Sequence, residues 1–156
     1  MPEIRDAATI VLIRHNRSKY FVLMGKRVST VAFMPSKYVF PGGAWEKLDK
    51  YVPFSKAMND QQKELLRLET DFVESSSLGI TAIRELWEET GLKLSSKAEF
   101  ESFPMEWKTF FCKNQGPNLR NLKFFFRAIT PSGRSRRFDA RFFLCDAKYI
   151  SNDLDN

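Results

Sequence analysis

The chain is 156 residues long with 43% hydrophobic and 14% aromatic content, enough for one globular domain around one core and too little for a second. A net charge of +6 and a pI near 9.4 favour anionic partners (phosphorylated small molecules, nucleic acid or an anionic surface) without choosing among them. Two cysteines, Cys112 and Cys145, and the single His15 exclude a CxxC pair or a Cys/His metal cluster and point to a reduced, cytoplasmic setting.

Residues 7–13 are apolar, but they fall well short of the roughly 18 to 20 residues of a membrane span and are followed by Arg14. They read as a buried strand, and no membrane partner is expected. Residues 20–24 form a second short strand, joined antiparallel to the first by the polar turn at 15–19. Tyr38-Val39-Phe40 leads into Pro41-Gly42-Gly43, where adjacent glycines permit close approaches and predict a tight turn. Between 55 and 73, Met58, Leu65, Leu68, Phe72 and Val73 recur at mainly helical spacing, which predicts an amphipathic helix.

A second helix is expected to start near Ser76 or Ser77 and stop at Gly91, with Leu78, Ala82, Ile83 and Leu86 on its apolar side. Beyond it, residues 99–111, 122–129 and 137–145 read as aromatic-rich strands, with turns at 114–118 and 131–133. The order of strands, helices, strands predicts an α/β (α+β) fold with helices covering a largely antiparallel or mixed sheet.

Glu85, Glu88 and Glu89 stand at i, i+3 and i+4 of the second helix, within about one quadrant of its surface. Such a group is either a solvated acidic face or a set of hard oxygen ligands for a divalent cation, Mg²⁺ or Mn²⁺. Arg84 reads as lying off the quadrant of Glu88, where it pairs with a neighbouring carboxylate and fixes its rotamer. Arg27, Arg136 and Arg137 are candidates for holding phosphate oxygens, against the ordinary role of solvated surface arginine. Asp139, Glu101 and Glu106 are candidates for a further carboxylate opposite the helix, or plain surface charge. Trp45, Trp107 and the Phe124-Phe125-Phe126 run either stack on a base or pack the core; Trp87 reads as packing, and His15 carries no support for catalysis.

Arg84-Glu85-Leu86-Trp87-Glu88-Glu89-Thr90-Gly91-Leu92, with Phe40-Pro41-Gly42-Gly43 ahead of it, resembles the signature of the Nudix hydrolases. That signature reads Gly, five residues, Glu, seven residues, then Arg-Glu-apolar-x-Glu-Glu-x-Gly-apolar, and its second half is matched at every specified position. The first half departs from it: 40 residues separate Gly43 from Arg84, 27 more than the signature leaves. The missing Glu falls on Asp49 counted forward from Gly43 and on Ser76 counted backward from Arg84, so an inserted helical segment is expected at about 50–75.

This insertion resembles a branch that includes peroxisomal coenzyme A diphosphatases, as does Arg136-Arg137-Phe138-Asp139-Ala140-Arg141-Phe142-Phe143. Members acting on coenzyme A also carry an Arg and a Gly ahead of Phe-Pro-Gly-Gly, and the equivalent places here hold Ala32 and Ser36.

The resemblance implies a single Nudix domain over 1–156, an α/β/α sandwich around a mixed sheet. It also implies a further strand and covering helix after 137–145, for which 146–156 leaves little length, so a shortened C-terminal end or a truncated relative is expected. The implied activity is cleavage of a diphosphate linkage in a nucleoside diphosphate derivative such as coenzyme A, ADP-ribose or NADH, without nucleic acid as the favoured partner. Glu85, Glu88, Glu89 and the Gly42 carbonyl would hold Mg²⁺ or Mn²⁺, with Glu85 as base and Arg84 as its positioning partner. Gly43, Arg27, Asp49, Arg136, Arg137 and Asp139 are the implied substrate contacts. An RNA 5′-end pyrophosphohydrolase and a catalytically silent nucleotide-binding module are the alternatives.

Overall fold

The apolar run at 7–13 becomes the middle of a long strand, β1 (Ile4–Asn16), because both faces of that stretch are covered. Ala8, Ile10 and Leu12 point into the core, while Ala7 and Val11 are buried on the other side, the burial expected of a central strand. β2 (Lys19–Val22) pairs antiparallel with β1 from Asn16↔Lys19 to Ile13↔Val22. The turn is therefore tighter than the sequence suggests: His15 and Asn16 belong to β1, and Arg17 takes a left-handed φ of 55°.

A computed structural model describes residues 3–27, 37–68 and 75–152. Ala32 and Ser36, and the stretch 69–74 that includes Phe72 and Val73, lie outside these residues. β9 (Arg137–Asp146) runs parallel to β1 with Ala7 opposite Ala140, and β8 (Lys123–Ile129) lies antiparallel on its far side, with a bulge between Phe124 and Phe126. β5 (Gly42–Ala44) adds to the opposite edge of β1, completing a mixed five-stranded sheet. Two smaller ribbons pair β3 (Gly25–Lys26) with β4 (Tyr38–Val39), and β6 (Ser95–Lys97) with β7 (Gln115–Pro117).

The long helix, α2 (Ser75–Thr90), lays Leu78, Ile80, Ala82, Ile83 and Leu86 on Ala8, Ile10, Leu12 and Phe143, and Leu66 of α1 (Asp60–Leu68) joins the same core. α2 ends where Gly91 turns left-handed at φ 76°, with its N–H still donating to Trp87 O at 2.7 Å. Charges also enter this core. Arg141 is 1% exposed and bonds the Asp6 carboxylate and Asp139, which Arg127 grips with two hydrogen bonds of 2.8 and 2.7 Å. Such buried charges persist because each is paired. Among the described residues, no helix is long and apolar enough to cross a membrane.

Four expectations are corrected. Residues 99–111 are not a strand: Met105–Trp107 form a 3-10 turn, and Phe103, Trp107, Phe110 and Phe111 meet as a cluster with Phe103 stacked on Phe111 at 4.4 Å. Their spacing of three or four residues is that of a helical turn, and it overrides the strand preference of aromatic residues. Residues 115–117, expected within a turn, are β7. The amphipathic helix begins at Asp60, five residues later than its apolar spacing suggests. Gly42 and Gly43 form a strand instead of a tight turn, and it is close packing that requires them.

Candidate active site

The site is assembled where β5 meets the C-terminal half of α2. A Cβ built on Gly42 would lie 2.5 Å from Thr9 Oγ1 and 2.8 Å from Ala8 O. One built on Gly43 would lie 2.3 Å from Glu85 Oε1. Only glycines let the sheet edge come this near both β1 and the helix. The bonds Ile10 N–H to Pro41 O (2.9 Å) and Trp45 N–H to Asp6 O (2.8 Å) bracket the strand. By antiparallel alternation, Gly42 between them points its own amide and carbonyl away from β1. The amide donates to Glu89, so the carbonyl shares that edge with the carboxylates.

Arg84 organises the interior side of the cluster. Its side chain is 7% exposed and bonds Asp49 through Nε (2.8 Å) and Nη2 (3.1 Å), and the Ala44 carbonyl through Nη2 (2.8 Å). Nη1 then reaches Glu85 Oε1 at 2.8 Å and Glu88 Oε2 at 3.3 Å. Arg84 and Glu88 are four residues apart and lie on one stripe of the helix, which corrects the expectation that Arg84 faces elsewhere.

Asp49 is fully buried and receives Thr81 Oγ1–H at 2.8 Å as well as the Glu46 amide at 3.1 Å. It holds Arg84 from behind, with its carboxylate engaged by Arg84, Thr81 and the Glu46 amide. Thr81, the Ala44 carbonyl and Glu46, the last 4.0 Å from Arg84, are site residues that the sequence does not single out. Their roles depend on contacts across more than thirty positions of sequence.

The electrostatics follow from this packing. Burial pulls the Arg84 guanidinium down, but Asp49, Glu85 and Glu88 outweigh it and raise its pKa. Burial pushes Glu85 up to about 7, with Glu88 and Glu89 adding to the rise and Arg84 opposing it. Glu89 is raised by burial as well, against the pull of Arg27 and the Gly42 amide. Among the described residues, Arg27 Nε is buried without a hydrogen-bond partner. Arg27 stands near enough to Glu89 to favour its charged form.

Other candidates do not join the cluster. Asp139 is paired with Arg127 and Arg141 inside the sheet network. Arg137 Nε donates to Thr130 O at 3.0 Å, and Arg136, Glu101 and Glu106 are exposed on loops and turns. Trp107 is buried in the core, Trp87 packs edge-on to Phe110 at 5.3 Å, and Trp45 Nε1–H donates to Ser77 Oγ at 3.0 Å. His15 stacks on Tyr20 at 4.7 Å.

No protein-family model matches the chain. A curated relative, the acyl-coenzyme A diphosphatase NUDT19 of Xenopus laevis, is 28% identical over 184 aligned positions, covering 85% of this chain and 48% of that protein. This chain therefore spans about half the length of that relative. Among solved structures, a NUDIX hydrolase from Alicyclobacillus acidocaldarius superposes with a TM-score of 0.68 at 27% identity, over 94% of this chain and 71% of its own. Sequence and fold point the same way: in both, the chain is similar to Nudix hydrolases.

Proposed function

We propose that the chain is a pyrophosphohydrolase of nucleoside diphosphate derivatives that works with Mg²⁺ or Mn²⁺ held by Glu85, Glu88, Glu89 and the Gly42 carbonyl. The observation that carries this reading is that Glu85 and Glu89 lie against the glycine strand while Arg84 ties Glu88 to Glu85. Among the described residues, no three His, Cys, Asp or Glu side chains converge as a ready-made metal cage. The donor set nevertheless fits a hard divalent ion, since Arg84 engages only one oxygen each of Glu85 and Glu88. A bound cation supplies charge neutralisation on the diphosphate and acidifies water.

The chain's own residues do the rest. Glu85, whose burial raises its pKa to about 7 in the cation-free chain, is the candidate general base. Arg84, anchored by Asp49 and Ala44 O, holds the Glu85 and Glu88 carboxylates in place as a positioning residue. Arg27 offers guanidinium donors to phosphate oxygens next to Glu89. Apposed basic groups of this kind stabilise charge that grows on the phosphate during cleavage.

The test is a panel of coenzyme A and its acyl derivatives, ADP-ribose, NADH, dinucleoside polyphosphates and nucleoside triphosphates, each with Mg²⁺ or Mn²⁺ and with product identification. The acyl derivatives are included because the Xenopus laevis relative is an acyl-coenzyme A diphosphatase. Turnover is expected for at least one diphosphate, falling by about a hundredfold or more in Glu88→Gln and Glu89→Gln while the melting temperature holds. Full turnover in both variants would overturn the proposed role of the cluster.

A further inference from the structure

On the face of the sheet opposite α2 lies a cavity of about 500 Å³, within the usual size range of small-molecule sites. The register explains it. Ala7, Ala140 and Ala128 stand side by side on β1, β9 and β8, so three adjacent strands present only methyl groups at the same level. Phe138 and Phe142 rise before and after Ala140 on the same face of β9 and form walls around this floor.

Among the described residues, the polar side chains at the cavity are Thr9, Arg27, Tyr38 and Thr130. Thr130 Oγ1 already accepts from the Phe138 amide at 3.0 Å, and Tyr38 is largely exposed. The cavity also reaches Gly42, Gly43 and Arg27, the same residues that border Glu85 and Glu89. A diphosphate held at the carboxylate cluster would therefore have one of its ester arms directed into this hollow.

We propose that the hollow holds the arm of the substrate that is poor in hydrogen-bonding groups, an alkyl or similar hydrocarbon group esterified to the diphosphate, and that it is not a nucleobase site. This rests on the reading of the carboxylate cluster as a diphosphate site. A purine or pyrimidine carries donors and acceptors around its edges, and the alanine floor between Phe138 and Phe142 offers them no side-chain partner. A hydrocarbon leaves nothing unpaired and gains from every methylene removed from water, about fourfold in affinity for each.

The test uses non-hydrolysable P¹-adenosine P²-alkyl methylenebisphosphonates with ethyl, hexyl and decyl arms, titrated calorimetrically into the chain with Mg²⁺ present. Affinity should rise by at least about tenfold from ethyl to hexyl. Ala140→Phe, which fills the floor, should remove that gain and leave the ethyl compound within about twofold of its original affinity. Ala128→Leu serves the same purpose if the first variant does not fold. Equal affinity for all three arms, or a gain that survives the filled floor, overturns the inference while leaving the hydrolase reading intact. Failure of even the ethyl compound to bind overturns both.

Discussion

Glu85 is the residue on which several forces meet. Its side chain is 14% exposed, it shares a helix face with two other carboxylates, and only one of its oxygens is engaged by Arg84. It titrates near 4.5 in an unperturbed chain and at about 7 here, so the fold favours its protonated form. That preference stabilises the cation-free protein fully below about pH 4.5 and is lost as pH rises through about 7. The cation-free protein should therefore lose on the order of 2–3 kcal/mol between about pH 5 and 8. Thermal melts across that range check this: Glu85→Gln should flatten the decline, and saturating Mg²⁺ should reverse it, because the ion binds the deprotonated carboxylate.

At the scale of elements, the site is the junction of β5 and α2, and its two glycines do different work. Gly42 faces backbone: an added methyl group meets Ala8 O and Thr9 Cα, both at 2.8 Å, and neither can move without opening the β1–β5 pairing. Gly43 faces the carboxylate of Glu85, the movable end of a side chain. Gly42→Ala should therefore cost about 2–3 kcal/mol of stability, as overpacking does. Gly43→Ala should cost less than about 1 kcal/mol but displace Glu85 and weaken Mn²⁺ binding by about tenfold or more. Denaturant unfolding and metal titration of the two variants separate these outcomes; equal loss of stability would show that the helix contact is no softer than the strand contact.

Much of this junction is legible in the sequence. The carboxylate stripe follows from helical spacing alone, and counting forward from Gly43 reaches Asp49, the residue that anchors Arg84. The count does not reveal that Asp49 is interior, because that depends on Thr81, Ala44 and the 3-10 turn at Lys47–Tyr51 folding over it. Nor does composition reveal Gly42 and Gly43 as strand residues, since a glycine pair reads as a turn unless the nearness of β1 and α2 is known.

For the whole molecule, the legible part was local periodicity and the illegible part was register. β1, β2, β8, β9 and α2 were readable as separate elements. The parallel pairing of β1 with β9 brings residues 4–13 alongside 137–146, and no local pattern announces it. From that pairing come the buried Asp6–Arg141–Asp139–Arg127 network, which engages both oxygens of Asp139, and the alanine floor of the cavity. The aromatic stretch at 99–111 departs from the expected strand for a related reason: its residue types favour strands, while the core it fills selects a helical turn.

Only the complete fold brings α2, β5 and Arg27 to one edge, and the proposed catalysis depends on that edge holding a divalent cation. Mn²⁺ titration followed by electron paramagnetic resonance tests this most directly, on the native chain, on Glu88→Gln and Glu89→Gln, and on the native chain unfolded in urea. Saturable binding by the native chain is expected, weakened by about tenfold or more in each variant and lost on unfolding. A folded chain that takes up no Mn²⁺, or variants that bind it as tightly as the native protein, would contradict the account.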